Sequence, residues 1–229
     1  MRLQHAPALW AAHPELSAGV LRADGLHDQA NVDAAVAHYT QQALARLAVP
    51  ESELPEVQAW RRAFGRMGFK PTQYRCASES LLRRLRKEGA LPRIHPLIDL
   101  CNAVSTAFAI PIAVFDLDHV QGNLEVRSAT GTERHVAFSG DVEQPEPGEV
   151  VFADDAGQAH ARRWTHRQSA ASAIRPGTRR VLVVAEAMHA TARDDVQRLL
   201  DALARELRTG WGVASATRML SAAAPVFQD

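Results

Sequence analysis

The chain has 229 residues, 46% of them hydrophobic, with 26 basic and 26 acidic side chains and hence no formal net charge. That length buries one sizeable core, and the charge balance excludes a protein that coats nucleic acid or membrane surfaces indiscriminately. Two cysteines in apolar helical patterns read as reduced, packed thiols; ten histidines show no zinc-like spacing, and neither a secretory leader nor a bilayer-spanning run is evident, so a cytosolic, soluble domain without cofactor or metal is expected.

Leu16–Leu26 carries strand-like residues up to Gly25 and is the first predicted strand. Val32–Ala48 is an amphipathic helix with Val36, Tyr39, Ala43 and Leu47 on one side, and Pro50 follows its end. Ser52–Phe64 is a second helix with Pro55 in its first turn. Gly68 and Pro71 punctuate a linker, and Ser78–Glu88 is helical, with Leu81, Leu82 and Leu85 inward and Gly89 as its terminator.

Leu91–Asp118 is the organising stretch. Pro96 permits a helix start, Leu97, Leu100, Cys101, Val104 and Phe108 form its buried stripe, and Pro111 forbids its continuation. The short apolar run Ile112–Phe115 then reads as a buried strand. Asp99, Asn102 and Ser105 on the helix, with Asp116 and Asp118 at the strand end, are either pocket walls or a cap and a buried hydrogen-bond network.

Further on, Leu124–Arg127 and Glu133–Phe138 look like a hairpin around Thr130-Gly131. Glu149–Ala153 is a strand, Ala159–Trp164 another, and Arg179–Ala187 the clearest of all. Asp194–Leu207 is a closing amphipathic helix ended by Gly210, and the tail from Ala214 shows no pattern and is expected to lie on the surface or fray. Clustered strands, without strict βαβ alternation, indicate an α/β (α+β-like) single domain with a mixed or antiparallel sheet packed against helices. The expected division is an N-terminal strand and helices (1–68), a core (69–210) and a C-terminal tail (211–229).

Three features carry chemistry. Between Arg61 and Arg93 ten basic residues face only Glu79 and Glu88, a local excess that suits phosphates or else a solvated helix face. Arg162-Arg163-Trp164-Thr165-His166-Arg167-Gln168-Ser169 suits anion recognition and stacking, or else pairs with buried acids such as Asp116, Asp154 or Asp155. Glu186 interrupts an apolar strand, so its carboxylate is paired, at a strand end, or facing a wet cavity. No hydrolase triad motif and no glycine-rich phosphate loop is present.

With these residues laid out, the chain resembles the B3/B4 domain family, the tRNA-binding and editing module of the phenylalanyl-tRNA synthetase β subunit, here in freestanding form. The resemblance rests on Lys70-Pro71-Thr72, Ser78–Arg84, Leu91–Asp99, Asn102–Ser105, Pro111–Asp116, Pro147–Val150 and Arg162-Arg163-Trp164 in family order, and covers about 69–186. It implies hydrolysis of the ester joining a wrong amino acid to the terminal ribose of tRNA, performed in trans, with mischarged tRNA as partner and no aminoacylation domain. Glu186 matches the family glutamate that faces the amino acid. The family's pocket histidine is absent, because Ile112-Ala113-Val114 occupies its neighbourhood, and Arg-Arg-Trp replaces a glycine-rich turn.

A compatible mechanism has water attack a held carbonyl while donors meet the oxyanion. Glu186 with Asn102 and Ser105 (or backbone N–H groups) form the expected catalytic set. Asp99, Asp116, Arg163, Trp164 and Arg167 are expected to contact substrate, and Arg83, Arg84, Arg86 and Lys87 the tRNA backbone. Two rivals share the fold: a non-catalytic tRNA- or RNA-binding module, and an amino-acid-binding sensor. Oligomeric state is left open.

Overall fold

The computed structural model describes residues 1–228. Strands β1 (Arg2–His5), β4 (Leu124–Ser128), β7 (Val150–Asp154), β8 (Ala159–Arg162), β9 (Arg167–Gln168) and β12 (Val226–Gln228) form one sheet in the order β12-β1-β4-β7-β8-β9. A second sheet has the order β11-β2-β10-β3, from β2 (Ser17–Asp24), β3 (Ile112–Asp116), β10 (Arg180–Ala187) and β11 (Ser215–Leu220). The second sheet is antiparallel throughout, whereas β1 runs parallel to β4 in the first, so the fold is mixed α/β as the clustering of strands indicates.

Side-chain alternation along β10 builds three layers. Val181, Val183, Ala185 and Ala187 join the core beneath the helices, while Leu182 and Val184 join the core between the two sheets. The helix layer comprises α2 (Asp33–Arg46), α5 (Pro96–Phe108) and α6 (Ala192–Trp211); the short α1 (Pro7–Ala12) and α3 (Pro55–Arg66) add Leu9, Trp10, Trp60 and Phe64 to the inter-sheet core. A third apolar cluster joins α2 and α3 to α4 (Ala77–Glu88) through Leu47, Val57, Leu82 and Leu85. By parity, Glu186 belongs to the inter-sheet face, opposite Ala18 in register.

Gly19 faces α6 so closely that a Cβ there would lie 2.5 Å from Val196 Cγ1 and 2.8 Å from Leu200 Cδ1. Gly19→Ala is therefore expected to cost about 1–3 kcal/mol through overpacking, read as a lower denaturant midpoint with an unchanged slope.

Four expectations are corrected. Leu124–Arg127 does not form a hairpin with Glu133–Phe138: β4 pairs with β1 and β7, and β5 (His135–Val136) pairs with β6 (Val142–Glu143). The Glu133 carboxylate accepts the N–H groups of Thr130 and Gly131, so the turn signal closes a local loop instead of joining two strands. The tail is ordered, because β11 and β12 each complete a sheet edge and bury Leu220 and Phe227. Helix α6 runs through Gly210 and stops at Gly212, whose φ of 69° is the left-handed cap. Strand β1, four residues of which only Leu3 is apolar, precedes the predicted first strand. Among the described residues no helix is long and apolar enough to cross a membrane.

Candidate functional site

A cleft opens where the ends of β10 and β8 meet the start of β3. Its walls include Ile112, Ala113, Phe152 and Val184; Trp164 and Glu186 lie at its base, with His166 and Arg167 also lining it. It holds about 380 Å³ of empty space, open mouth included.

Glu186 is 2% exposed. The Trp164 indole N–H lies 3.0 Å from each of its carboxylate oxygens and is shared between them. His5 Nε2 lies 2.7 Å from Oε1, and the Trp60 indole donates to the Glu186 main-chain carbonyl at 3.3 Å. A buried carboxylate is tolerated when donors replace its lost water, and here two rings do so. Trp164 is itself fixed edge-on against Trp60, with ring centroids 5.0 Å apart, and against His13 at 4.9 Å.

The connection between β8 and β9 holds Arg163 and Trp164 at φ 46° and 57°, left-handed values unusual for side chains other than glycine or asparagine. Such a pair costs roughly 1–2 kcal/mol per residue and persists only where the surroundings over-determine it. Here the Trp164 N–H donates to the Val150 carbonyl at 2.7 Å, and the Ala77 N–H, opening α4, donates to the Thr165 carbonyl at 2.8 Å. The Arg163 guanidinium lies 4.8 Å over the Tyr74 ring and 3.1 Å from Glu149. His166 Nδ1 sits 2.8 Å from the Arg75 carbonyl; burial first, then the charges of Arg163 and Arg167, push its pKa down, so its ring is neutral at pH 7. The Thr165 hydroxyl is buried and has no partner among the described residues.

The arginines of this segment pair with Glu143 and Glu149, not with Asp116, Asp154 or Asp155. Arg162 makes two bonds to Glu149, at 3.0 and 2.8 Å, and one to Glu143 at 2.7 Å. Arg167 also reaches Glu143, at 3.2 Å, but keeps about half of its side chain exposed at the cleft. His135 lies beside this cluster, fully buried, with Nδ1 3.8 Å from Glu143 and neither ring nitrogen hydrogen-bonded among the described residues. Burial, reinforced by Arg162, lowers its pKa to about 4 from 6.5. The unfolded chain therefore binds a proton at a higher pH than the folded one, and this contribution to stability, complete above pH 6.5, is lost as pH falls toward 4. Melting temperatures are expected to drop across that window in wild type, and less steeply in His135→Phe.

The structure brings Glu186, Trp164 and Arg167 to one cleft, and does not bring the other expected residues there. Asp99 accepts from Arg93 at 2.9 Å and from the Ile94 N–H at 2.7 Å, tying down the entry to α5. Ser105 donates to the Ile110 carbonyl at 2.6 Å, closing the other end of that helix. Asn102 is half-buried on α5 and lies outside the cleft lining. Asp116 accepts from Thr178 at 2.6 Å and from the Asp118 N–H at 3.0 Å. The physical reason is common to Asp99, Ser105 and Asp116: each satisfies backbone or hydroxyl groups left over where an element ends. The Arg163 side chain is likewise turned to Glu149 and Tyr74 instead of the cleft.

The basic excess of 61–93 is also largely answered in space. Arg61 and Arg75 meet Glu79, Arg66 meets Glu15, Arg83 and Arg86 meet Glu51, Arg84 meets Glu88, and Arg93 meets Asp33 and Asp99. Most of these partners lie outside the tract, which is why counting along the chain overstated the field. Arg83, Arg84, Arg86 and Lys87 nonetheless remain exposed along α4.

Sequence reasoning passed over His5 and gave Thr165, within the Arg162 segment, no role of its own. His5 supplies an imidazole beside Glu186 from a strand with no recognisable pattern, 181 residues away. A Ser172–His160–Asp154 chain, with contacts of 2.8 and 3.1 Å, resembles a hydrolytic triad in composition only: all three are buried and none lines the cleft.

Among curated proteins, the chain is similar to the phenylalanine–tRNA ligase beta subunit of Cereibacter sphaeroides, 34% identical over 76 residues that make up 33% of this chain and 9% of that protein. It is similar to the same subunit of Fusobacterium nucleatum, 32% identical over 95 residues, 42% of this chain and 12% of that one. These matches therefore span only about a tenth of the relatives' length. Among solved structures, an N-terminal fragment of the phenylalanyl-tRNA synthetase beta subunit from Pyrococcus horikoshii superposes with a TM-score of 0.50 over 93% of this chain and 49% of the fragment, at 10% identity, a likeness of fold. The family model described as the B3/4 domain matches residues 59–206, wider than the stretch carried by the motifs, and the chain belongs to that family.

Proposed function

We propose that the chain is a trans-editing aminoacyl-tRNA deacylase, which removes a wrong or non-proteinogenic amino acid from tRNA in the cytoplasm. The observation that carries this reading is the buried Glu186 carboxylate at the base of a largely apolar cleft beside an exposed arginine. An amino acid ester presents an ammonium group, a side chain and, beyond the ester, ribose and phosphate. Glu186 answers the ammonium or a cationic side chain, the apolar walls take the remainder, and Arg167 meets phosphate.

Water attacks the ester carbonyl, the tetrahedral oxyanion collapses, and the ribose hydroxyl leaves with a proton. Ser105 is committed elsewhere, so the donors for the oxyanion are backbone N–H groups and the unpartnered Thr165 hydroxyl. No step needs a metal. The exposed cations of α4 give tRNA a backbone contact; changing Arg83, Arg84, Arg86 and Lys87 together to Gln should weaken tRNA binding at least tenfold and flatten its salt dependence. An unchanged slope in a folded variant leaves that face solvated only.

A second reading, a tRNA-binding module without activity, is favoured by the two rings that already engage Glu186. The experiment that decides is release of amino acid from a panel of mischarged tRNAs, including arginine analogues and non-standard aromatic amino acids. Hydrolysis of one or more supports the deacylase; tight tRNA binding with none supports the module.

A further inference from the structure

On the helix side of the fold, three elements bring together side chains that the cleft does not use. Glu56 lies in the first turn of α3, His189 two residues beyond the end of β10, and Asp195 in the first turn of α6. They are 8%, 7% and 8% exposed, and one ligating atom from each lies within 4.8 Å of the other two. Glu56 and Asp195 also line a solvent-open cavity with Arg46 and Arg198.

Two atoms in this cluster lack partners. Glu56 Oε2 and His189 Nδ1 are buried with no hydrogen-bond partner among the described residues. A buried carboxylate oxygen without a donor is costly, and its loss of water calls for a cation or a proton. The other oxygens are engaged from outside: Arg46 donates to Glu56 Oε1 at 2.6 Å, and Arg198 pairs with Asp195 Oδ1. Those contacts hold each carboxylate in place with one oxygen turned inward, and the inward Asp195 Oδ2 also accepts from the Thr191 hydroxyl at 2.5 Å, the arrangement by which outer partners orient metal ligands. His189 Nε2 and Asp195 Oδ2 stand 2.8 Å apart. Two ligands bonded to one ion at about 2.0–2.1 Å lie roughly 2.9–3.4 Å apart at octahedral to tetrahedral angles, so a few tenths of an ångström of separation admits an ion between them.

We propose that Glu56, His189 and Asp195 form a binding site for one divalent transition-metal ion, with Zn²⁺ as the fitting probe. Imidazole with two carboxylates suits such an ion better than Ca²⁺ or Mg²⁺, which favour all-oxygen cages. The imidazole turns its proton to Nδ1 and presents Nε2, while water takes the remaining position. Arg198, 70% exposed, is screened by solvent and free to swing away; Arg46 stays and moderates affinity. The ion lies outside the Glu186 cleft and has no part in hydrolysis. It clamps the starts of α3 and α6 to the segment leaving β10, and so steadies the strand that carries Glu186.

Chelator-stripped protein titrated with Zn²⁺ tests this by calorimetry and by melting temperature. One equivalent should bind with a micromolar or tighter Kd, and a hundredfold excess over Kd should raise Tm by about 5 °C or more. Glu56→Gln, which keeps shape and removes the carboxylate charge, should weaken Zn²⁺ at least tenfold, and His189→Gln likewise; circular dichroism establishes that each variant is folded. If His189→Gln does not fold, Glu56→Gln alone decides. Absence of a saturable single site below millimolar Zn²⁺, or wild-type affinity in folded Glu56→Gln, overturns the proposal.

Discussion

Trp164→Phe is expected to lower stability by about 3 kcal/mol, a fall in Tm of roughly 6–12 °C for a chain of this size. The ring's apolar bulk is mostly kept, so the loss comes from the indole N–H, which is shared by both oxygens of a carboxylate that is 2% exposed. Removing one partner of a buried charged group leaves the other uncompensated, and that penalty exceeds the net worth of the bond. His5 remains, at 2.7 Å from one oxygen only. The loss should shrink when Glu186 is also replaced: a double-mutant cycle of Trp164→Phe with Glu186→Gln should give a coupling energy above about 1 kcal/mol. Additive losses mean that Trp164 acts through packing against Trp60 and His13 alone.

Glu186→Gln is expected to reduce deacylation by about 30- to 1,000-fold, or 2–4 kcal/mol of transition-state stabilisation, with unchanged tRNA affinity. On the proposed function, the amide keeps the volume but no longer offers a carboxylate to the substrate's ammonium. The geometry of the carboxylate's partners adds a second effect. Trp164 spans both side-chain oxygens, so the new amide N–H₂ faces an N–H donor, and stability should fall as well, by about 1–2 kcal/mol. Activity must therefore be expressed per folded molecule, well below the variant's Tm. A destabilised variant with full activity assigns Glu186 to the fold and removes it from substrate recognition.

The elements with strong periodicity were legible from the sequence. Helix α5 between Pro96 and Phe108, the strand after Pro111 and the long strand β10 appear where apolar spacing and proline chemistry put them. Glu186 was legible for a related reason: a carboxylate in an apolar strand has to be accounted for, and strand parity directs it between the sheets. Local signals failed where distant chain decided the outcome. Strand β1 has no pattern of its own and exists because β4 and β12 pair with it. His5 reaches Glu186 only through that pairing. The polar face of α5 illustrates the opposite failure: Asp99 and Ser105 had the composition of a pocket wall, yet they bond backbone groups of the residues flanking their own helix, Ile94 before it and Ile110 after it. The basic tract of 61–93 likewise had only Glu79 and Glu88 as counter-charge along the chain until Glu15, Asp33 and Glu51 folded onto it.

The most direct test of the deacylase reading is multiple-turnover hydrolysis by wild type, at catalytic concentration, of tRNAs carrying mismatched amino acids, measured against spontaneous ester loss. Release of at least one mismatched amino acid well above the spontaneous rate, with correctly charged tRNA spared and the excess abolished by Glu186→Gln, is the expected result. Rates equal to the spontaneous loss across the whole panel, from protein that is folded and binds the same tRNAs, would contradict it.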